Sequence, residues 1–182
     1  MAIAEDVYAR CRLCTVQAAT ILTGMINGVK IEPIAVQARR TAADIAGDTV
    51  YALLGRAFIT PIDREDLWLL HETAEHVWCE AENTALLLYH CDRQLPRACE
   101  AVVRSSIACC TAARQIAEAF PTPDTTTQQM RALREAQRIY HTTVHSNFTD
   151  ATIRRICEGT HRVITACEQL IGVLRYTAMK SG

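Results

Sequence analysis

The sequence contains few of the residues that interrupt regular structure. Among its 182 residues are only 7 glycines and 5 prolines, and aromatic residues make up 5%. Because glycine and proline end helices and form the turns between strands, their scarcity disfavours a protein built from many short strands. With 49% apolar residues the chain can still bury a core, so long helices are the favoured architecture.

The chain also lacks an excess of charge of either sign. Its formal net charge is −1 at pH 7, and no cluster of lysine and arginine stands out, so neither nucleic acid nor an anionic membrane surface is an expected partner. The most apolar stretches, Val16 to Ile26 and Thr84 to Tyr89, are too short to span a bilayer. The first residues lack the basic-then-apolar pattern of an export signal, which predicts a cytoplasmic protein without membrane insertion.

Cysteine is comparatively abundant, with 9 residues. An odd number cannot all pair, and several, such as Cys109 and Cys167, occupy apolar helix positions where a thiol packs like a small hydrophobe. Cys11 and Cys14 form one Cys-x-x-Cys, but a zinc knuckle needs a second pair at similar spacing, which the sequence lacks. We interpret both as packing residues.

Amphipathic patterning predicts six helices and no strand. In the third, apolar residues from Leu67 to Leu88 recur at steps of three and four, the pattern of a buried helix seam. The predicted helices cover about 4–25, 33–54, 61–90, 96–120, 127–144 and a last segment from about 149. Short connections between long amphipathic helices force antiparallel neighbours, so we predict an all-α antiparallel helical bundle.

The stretch from Phe58 to Asp66 carries the most specific signal, with the sequence FITPIDRED. It predicts the start of the third helix, because Thr60 can cap it, Pro61 suits its first position and Asp63 completes a capping box. Two further acidic residues in the first turn favour the same start.

This nonapeptide resembles the Phe-Ile-Thr-Pro-(Ile/Phe)-Asp-Arg-Glu-Asp motif of the PhoU-like phosphate-transport regulators, in the branch found alongside Pit-type phosphate permeases. The resemblance is strong from Phe58 to about Glu82 and weak in the second half of the chain. It implies one domain, 1–182, built from two pseudo-repeated three-helix units at about 1–92 and 93–182. The tripeptide Phe148-Thr149-Asp150 before the last helix is similar to the start of the nonapeptide before the third helix, which agrees with such a repeat.

The resemblance also implies a function. It points to a non-enzymatic accessory protein that regulates a phosphate permease by protein–protein contact and forms homo-oligomers. The sequence contains no Gly-rich phosphate loop and no Gly-x-Ser-x-Gly elbow. The resemblance further implies a cytoplasmic protein that is peripheral to the inner membrane through its permease partner.

PhoU-like proteins carry (Glu/Asp)-x-x-x-Asp motifs that bind iron or other metals, and in this sequence each motif has lost at least one carboxylate. One motif falls on Arg40 and Asp44, another on Glu75 and Cys79. The resemblance leaves Asp44, Glu75, Cys79 and His161 as candidate metal ligands, a mixed set that suits zinc or ferrous iron better than magnesium. Spacing alone favours a solvated acidic face on the third helix, so loss of the metal and a change of metal both stay open.

Two patterns typical of metalloenzymes occur in the predicted helices. The hexapeptide from His71 to His76 resembles a zincin helix, but histidines five residues apart point about 140° apart, so they cannot share a zinc ion. The tetrapeptide from Glu158 to His161 is one copy of the Glu-x-x-His unit that ferritin-like di-iron bundles use twice. A ferritin-like di-iron or other metal-dependent enzyme is therefore the alternative hypothesis.

Overall fold

The computed structural model of the protein consists of long helices joined by short connections. The structure describes residues 2–56, 62–90, 95, 97–119, 126–144 and 150–181. Within these ranges the six helices are α1 Ala2–Ile26, α2 Pro33–Arg56, α3 Arg64–Tyr89, α4 Arg97–Ala119, α5 Thr126–Val144 and α6 Ala151–Ser181. No strand occurs in the described ranges, so the predicted all-α class with six helices is confirmed.

The connection between α1 and α2 is formed by a glycine. Gly28 has φ = +74° and is the one described residue with a positive φ. Its amide donates to the carbonyl of Met25 at 3.2 Å, and the amide of Val29 donates to the carbonyl of Gly24 at 2.8 Å. This pair of bonds is the Schellman motif, which satisfies the last carbonyls of α1 and needs a left-handed residue. Pro33 then begins α2 at a position where no amide hydrogen bond is lost.

The start of α3 differs from the sequence prediction. The helix begins at Arg64, so Asp63 is its N-cap and not its third helical residue. The Asp63 side chain makes no capping hydrogen bond, and its carboxylate instead accepts one from the ammonium of Lys180 at 2.5 Å. Ile62 packs into the core just before the helix. The predicted capping box is therefore wrong at Asp63, and its other residues, 60–61, lie outside the described ranges.

The core runs along the length of the bundle. Helix α3 packs against α1 and α6, while α4 packs against α1, α5 and α6. The predicted seam of α3 is confirmed, since apolar residues at its three- and four-residue steps, from Leu67 to Leu88, are buried. Cys11 and Cys14 are buried in the same core, as are Cys109 and Cys167, which agrees with their predicted packing role.

Helix α2 lies at the periphery of the bundle. It packs only lightly on α3 and α1, and among its residues only Val36, Ala43 and Leu54 are buried. In the described part of the chain, no helix combines the length and the apolar character needed to cross a membrane.

Candidate functional site

Glu75, one of the predicted metal ligands on α3, is paired with an arginine of α1. Its Oε1 accepts hydrogen bonds from Nε of Arg10 at 2.7 Å and from Nη2 of the same guanidinium. The side chains of Arg10 and Glu75 are only 14% and 18% exposed. The guanidinium also lies over the ring of Trp78, 5.4 Å from its centroid. Because charge-assisted bonds to a fixed cation satisfy this carboxylate, it is a poor ligand for a metal cation.

Cys79 lies one turn after Glu75 on the same helix. Burial, followed by the charge of Glu75, raises the pKa of the Cys79 thiol. Cys14 of α1 approaches the same carboxylate, with 3.8 Å between its Sγ and Oε1 of Glu75, and burial also raises the pKa of its thiol. Metal ions bind the thiolate form of cysteine, so both side chains are weak ligands at neutral pH in these surroundings.

A second buried carboxylate belongs to Glu82, which is 1% exposed. Its oxygens contact two arginines of α2, with Arg39 Nε at 2.9 Å and Arg40 Nε at 3.4 Å. Arg40 also donates to the side-chain oxygen of Asn83 at 2.5 Å. At the motif position where the resemblance implies an acidic residue, this chain therefore places a cation that pairs with α3.

The remaining predicted metal ligands lie in other surroundings. Asp44 is exposed on α2. The imidazole of His161 stacks on the ring of Tyr140, with 3.8 Å between centroids, and burial, with a smaller contribution from His141, lowers its pKa. Among the described residues, no group of three or more His, Cys, Asp or Glu is placed to hold a metal ion. The donor set as placed does not fit a metal ion, and metal binding stays a prediction.

Elemental analysis of the purified protein tests whether it binds a metal ion. Because Arg10 neutralises Glu75 and the Cys79 thiol keeps its proton, we expect substoichiometric zinc and iron after dialysis. The Glu75→Ala and Cys79→Ala variants should then contain no less metal than the wild type. One metal ion per chain that either substitution removes would contradict this expectation and restore the mixed ligand set.

A groove between α2 and α3 exposes large apolar side chains. Tyr51 and Leu69 stand at its edge, 67% and 46% exposed, and the ring of Tyr51 meets the Trp68 ring edge-on at 5.5 Å between centroids. Arg64 and Glu65, two charged residues of the nonapeptide, line the same groove. We call it the Tyr51 groove, and its volume is about 480 Å³, with lining residues Tyr51, Leu54, Gly55, Arg64, Glu65, Trp68 and Leu69.

The Tyr51 groove has the composition of a protein-contact surface. Exposed apolar patches rimmed by polar residues mark interaction sites, and tyrosine, tryptophan and arginine are the residues that contribute most to binding there. The side chain of Trp68 is half-buried against the core at the groove. The exposure of Tyr51 was not predicted, because it depends on how lightly α2 packs on the bundle.

Solved structures share this arrangement of helices. One, from Shewanella oneidensis MR-1 and described as a PhoU-like phosphate regulatory protein, matches with a TM-score of 0.60 at 15% sequence identity, over 98% of both chains. Another, described as a PhoU-like protein of the same organism, matches with a TM-score of 0.62 at 14% identity, also over 98% of both chains. No family model and no curated protein matches the sequence. The chain therefore has the fold of the PhoU-like proteins, as the nonapeptide and the helix pattern predicted.

Proposed function

We propose that the protein regulates inorganic phosphate transport by direct contact with a Pit-type phosphate permease and has no enzymatic activity of its own. The shared fold over 98% of each chain supports a regulator of this kind. The observation that carries the proposal is the position of the nonapeptide. Its residues Arg64 and Glu65 form part of the Tyr51 groove, so the segment that resembles the regulators adjoins a surface suited to a protein partner.

Some charged residues of the nonapeptide contact the rest of the bundle, and others line the Tyr51 groove. Lys180 of α6 contacts Asp63 at 2.5 Å and Asp66 at 2.9 Å, so these two carboxylates fasten the start of α3 to the bundle. Arg64 and Glu65 instead line the groove beside the exposed Tyr51. We infer that a partner segment places apolar side chains against Tyr51 and Leu69 and pairs polar groups with this rim.

The rest of the proposal follows from the same likeness. We place the protein in the cytoplasm, peripheral to the inner membrane through the permease, and as a homo-oligomer. Its single domain would comprise two pseudo-repeated halves, about 1–92 and 93–182. In the described residues no observation favours the metal-dependent enzyme, because Glu158 is exposed and no metal-binding group forms around His161.

Co-purification from membranes tests the proposed contact. The tagged protein is expressed together with a Pit-type permease, and the permease recovered after mild detergent extraction is quantified. We expect the Tyr51→Glu variant to recover at least about tenfold less permease than the wild type, because a buried charge at an aromatic anchor is strongly unfavourable.

The matched control is Tyr176→Glu, which places the same charge on an exposed tyrosine of α6, 51% exposed. It should recover as much permease as the wild type, and both variants should keep the wild-type melting temperature. Failure of the wild type to recover permease would refute the partner. Equal recovery by both variants would refute the Tyr51 groove as the contact surface.

A further inference from the structure

We infer that a second groove, formed by α1, α2 and α4, binds a small phosphate monoester. The groove has a volume of about 620 Å³ and is lined by residues of α1 from Thr15 to Gly24, by the connection to α2, by Arg39 and by residues of α4 up to Arg114. None of its described lining residues belongs to the Tyr51 groove. The inference goes beyond the proposed permease contact and does not depend on it.

Two arginines in this groove carry hydrogen-bond donors without an acceptor. Arg39 donates through Nε to Glu82, but its Nη2 is buried with no hydrogen-bond partner in the part of the chain that the structure describes. Nε of Arg114 forms an ion pair with Glu118 at 3.6 Å but is likewise buried with no hydrogen-bond partner among the described residues. Buried donors without partners are unfavourable, so these two positions call for an acceptor from outside the chain. Both side chains stay partly exposed and line the groove.

The charge balance around the groove favours an anion. Among the described residues, no aspartate or glutamate lines it. The single carboxylate of Glu82 is shared by Arg39 and Arg40, which leaves an excess of one positive charge at that side. Guanidinium groups bind phosphate with paired, charge-assisted hydrogen bonds. A phosphate group presents three terminal oxygens to such donors, whereas a carboxylate presents only two oxygens in one plane.

The other walls of the groove fit an organic group attached to that phosphate. Val16, Val29 and Ile31 provide apolar surface, and Thr20 and Asn27 provide polar atoms. The hydroxyl of Thr20 donates to the carbonyl of Val16 at 2.9 Å, so its oxygen is left to accept a hydrogen bond from a ligand hydroxyl. The volume lies within the range of small-molecule sites, roughly 300–1,000 Å³, and exceeds what inorganic phosphate alone would fill. A nucleoside or sugar phosphate has the required combination of groups.

Isothermal titration calorimetry tests this inference with AMP and ribose 5-phosphate as probes. We expect saturable one-to-one binding of at least one ester, in the millimolar range or tighter. Adenosine and ribose, which lack the phosphate, should bind at least about tenfold more weakly, and inorganic phosphate should compete but bind less tightly than the ester.

Two substitutions and a matched control locate the site. Arg114→Gln should weaken ester binding at least about tenfold. Arg39→Gln should do the same, and Arg40 continues to pair with Glu82 in that variant. The control is Arg104→Gln, which removes an exposed arginine of α4 that pairs with Glu100 one turn away and does not line the groove.

The binding data of these variants distinguish a site in this groove from binding elsewhere. Binding that survives Arg104→Gln and is weakened by both groove variants supports the site, provided that all variants keep the wild-type helical spectrum. Absence of saturable binding of both esters, equal binding of the unphosphorylated probes, or equal weakening by all three arginine substitutions would overturn it. The Tyr51→Glu variant should bind the ester like the wild type, so failure of the permease contact leaves this result unaffected.

Discussion

Replacing Glu75 by alanine is expected to lower the free energy of unfolding by about 3 kcal/mol. The substitution leaves the guanidinium of Arg10 largely buried between α1 and α3 without the carboxylate that accepts two of its hydrogen bonds. Removing one partner of a buried ion pair costs more than the pair itself contributes, since the remaining charge stays away from water. Urea denaturation followed by far-UV circular dichroism measures the change.

A double-mutant cycle with Arg10→Ala shows whether the loss comes from this pair. We expect the two substitutions to be strongly non-additive, with a coupling energy of about 1–3 kcal/mol. Glu100→Ala is the control, because Glu100 forms a longer, more exposed pair with Arg104 at 3.8 Å and should change stability by at most about 0.5 kcal/mol. Additive effects of the Arg10 and Glu75 substitutions would mean that the two side chains do not interact as described.

Replacing Gly159 by alanine should destabilise the bundle, whereas the same change at Gly172 of the same helix should stabilise it. A Cβ at Gly159 would lie 2.6 Å from Oγ1 and 3.3 Å from Cβ of Thr84 on α3, whereas at Gly172 it would meet no atom of a described residue within 4 Å. Alanine in place of glycine favours a helix by about 0.5–1 kcal/mol at either site. Overpacking at the contact between α3 and α6 costs about 1–3 kcal/mol, so the net loss for Gly159→Ala should be about 1–2 kcal/mol.

The two alanine substitutions are expected to change the stability in opposite directions, which makes this prediction specific. Thermal denaturation should give a lower midpoint for Gly159→Ala and a higher one for Gly172→Ala. Adding Thr84→Ala to Gly159→Ala should recover part of the lost stability, because it removes the two Thr84 atoms nearest to the new methyl group. The close packing of α3 on α6 would be refuted if both glycine variants shifted the midpoint in the same direction by a similar amount.

Most of the fold could be predicted because its signals are local. The steps of three and four in α3 identify a buried face without knowledge of its neighbour, and Gly28 marks the end of α1 through its own backbone. Asp150, placed at the start of the last predicted helix, accepts hydrogen bonds from the amides of Thr152 and Ile153. Such features depend on residues within one or two turns, so the sequence displays them directly.

The errors and omissions concern contacts between distant parts of the chain. Asp63 was predicted to be a third helical residue, but its partner Lys180 lies 117 residues later. Glu75 was a candidate metal ligand, but it pairs with Arg10, 65 residues earlier. A glutamate looks the same in the sequence whether a metal ion or an arginine neutralises its carboxylate. Only the packing of α1 on α3 decides between the two.

Phosphate uptake by an isolated permease shows directly whether this protein regulates transport through contact. Membrane vesicles containing an active Pit-type permease are assayed for the initial rate of phosphate uptake, with and without the purified protein on the cytoplasmic side. We expect the wild type and Tyr176→Glu to change this rate and Tyr51→Glu to leave it unchanged. A rate that is the same with and without the wild-type protein, in vesicles whose permease is active, would contradict regulation through direct contact.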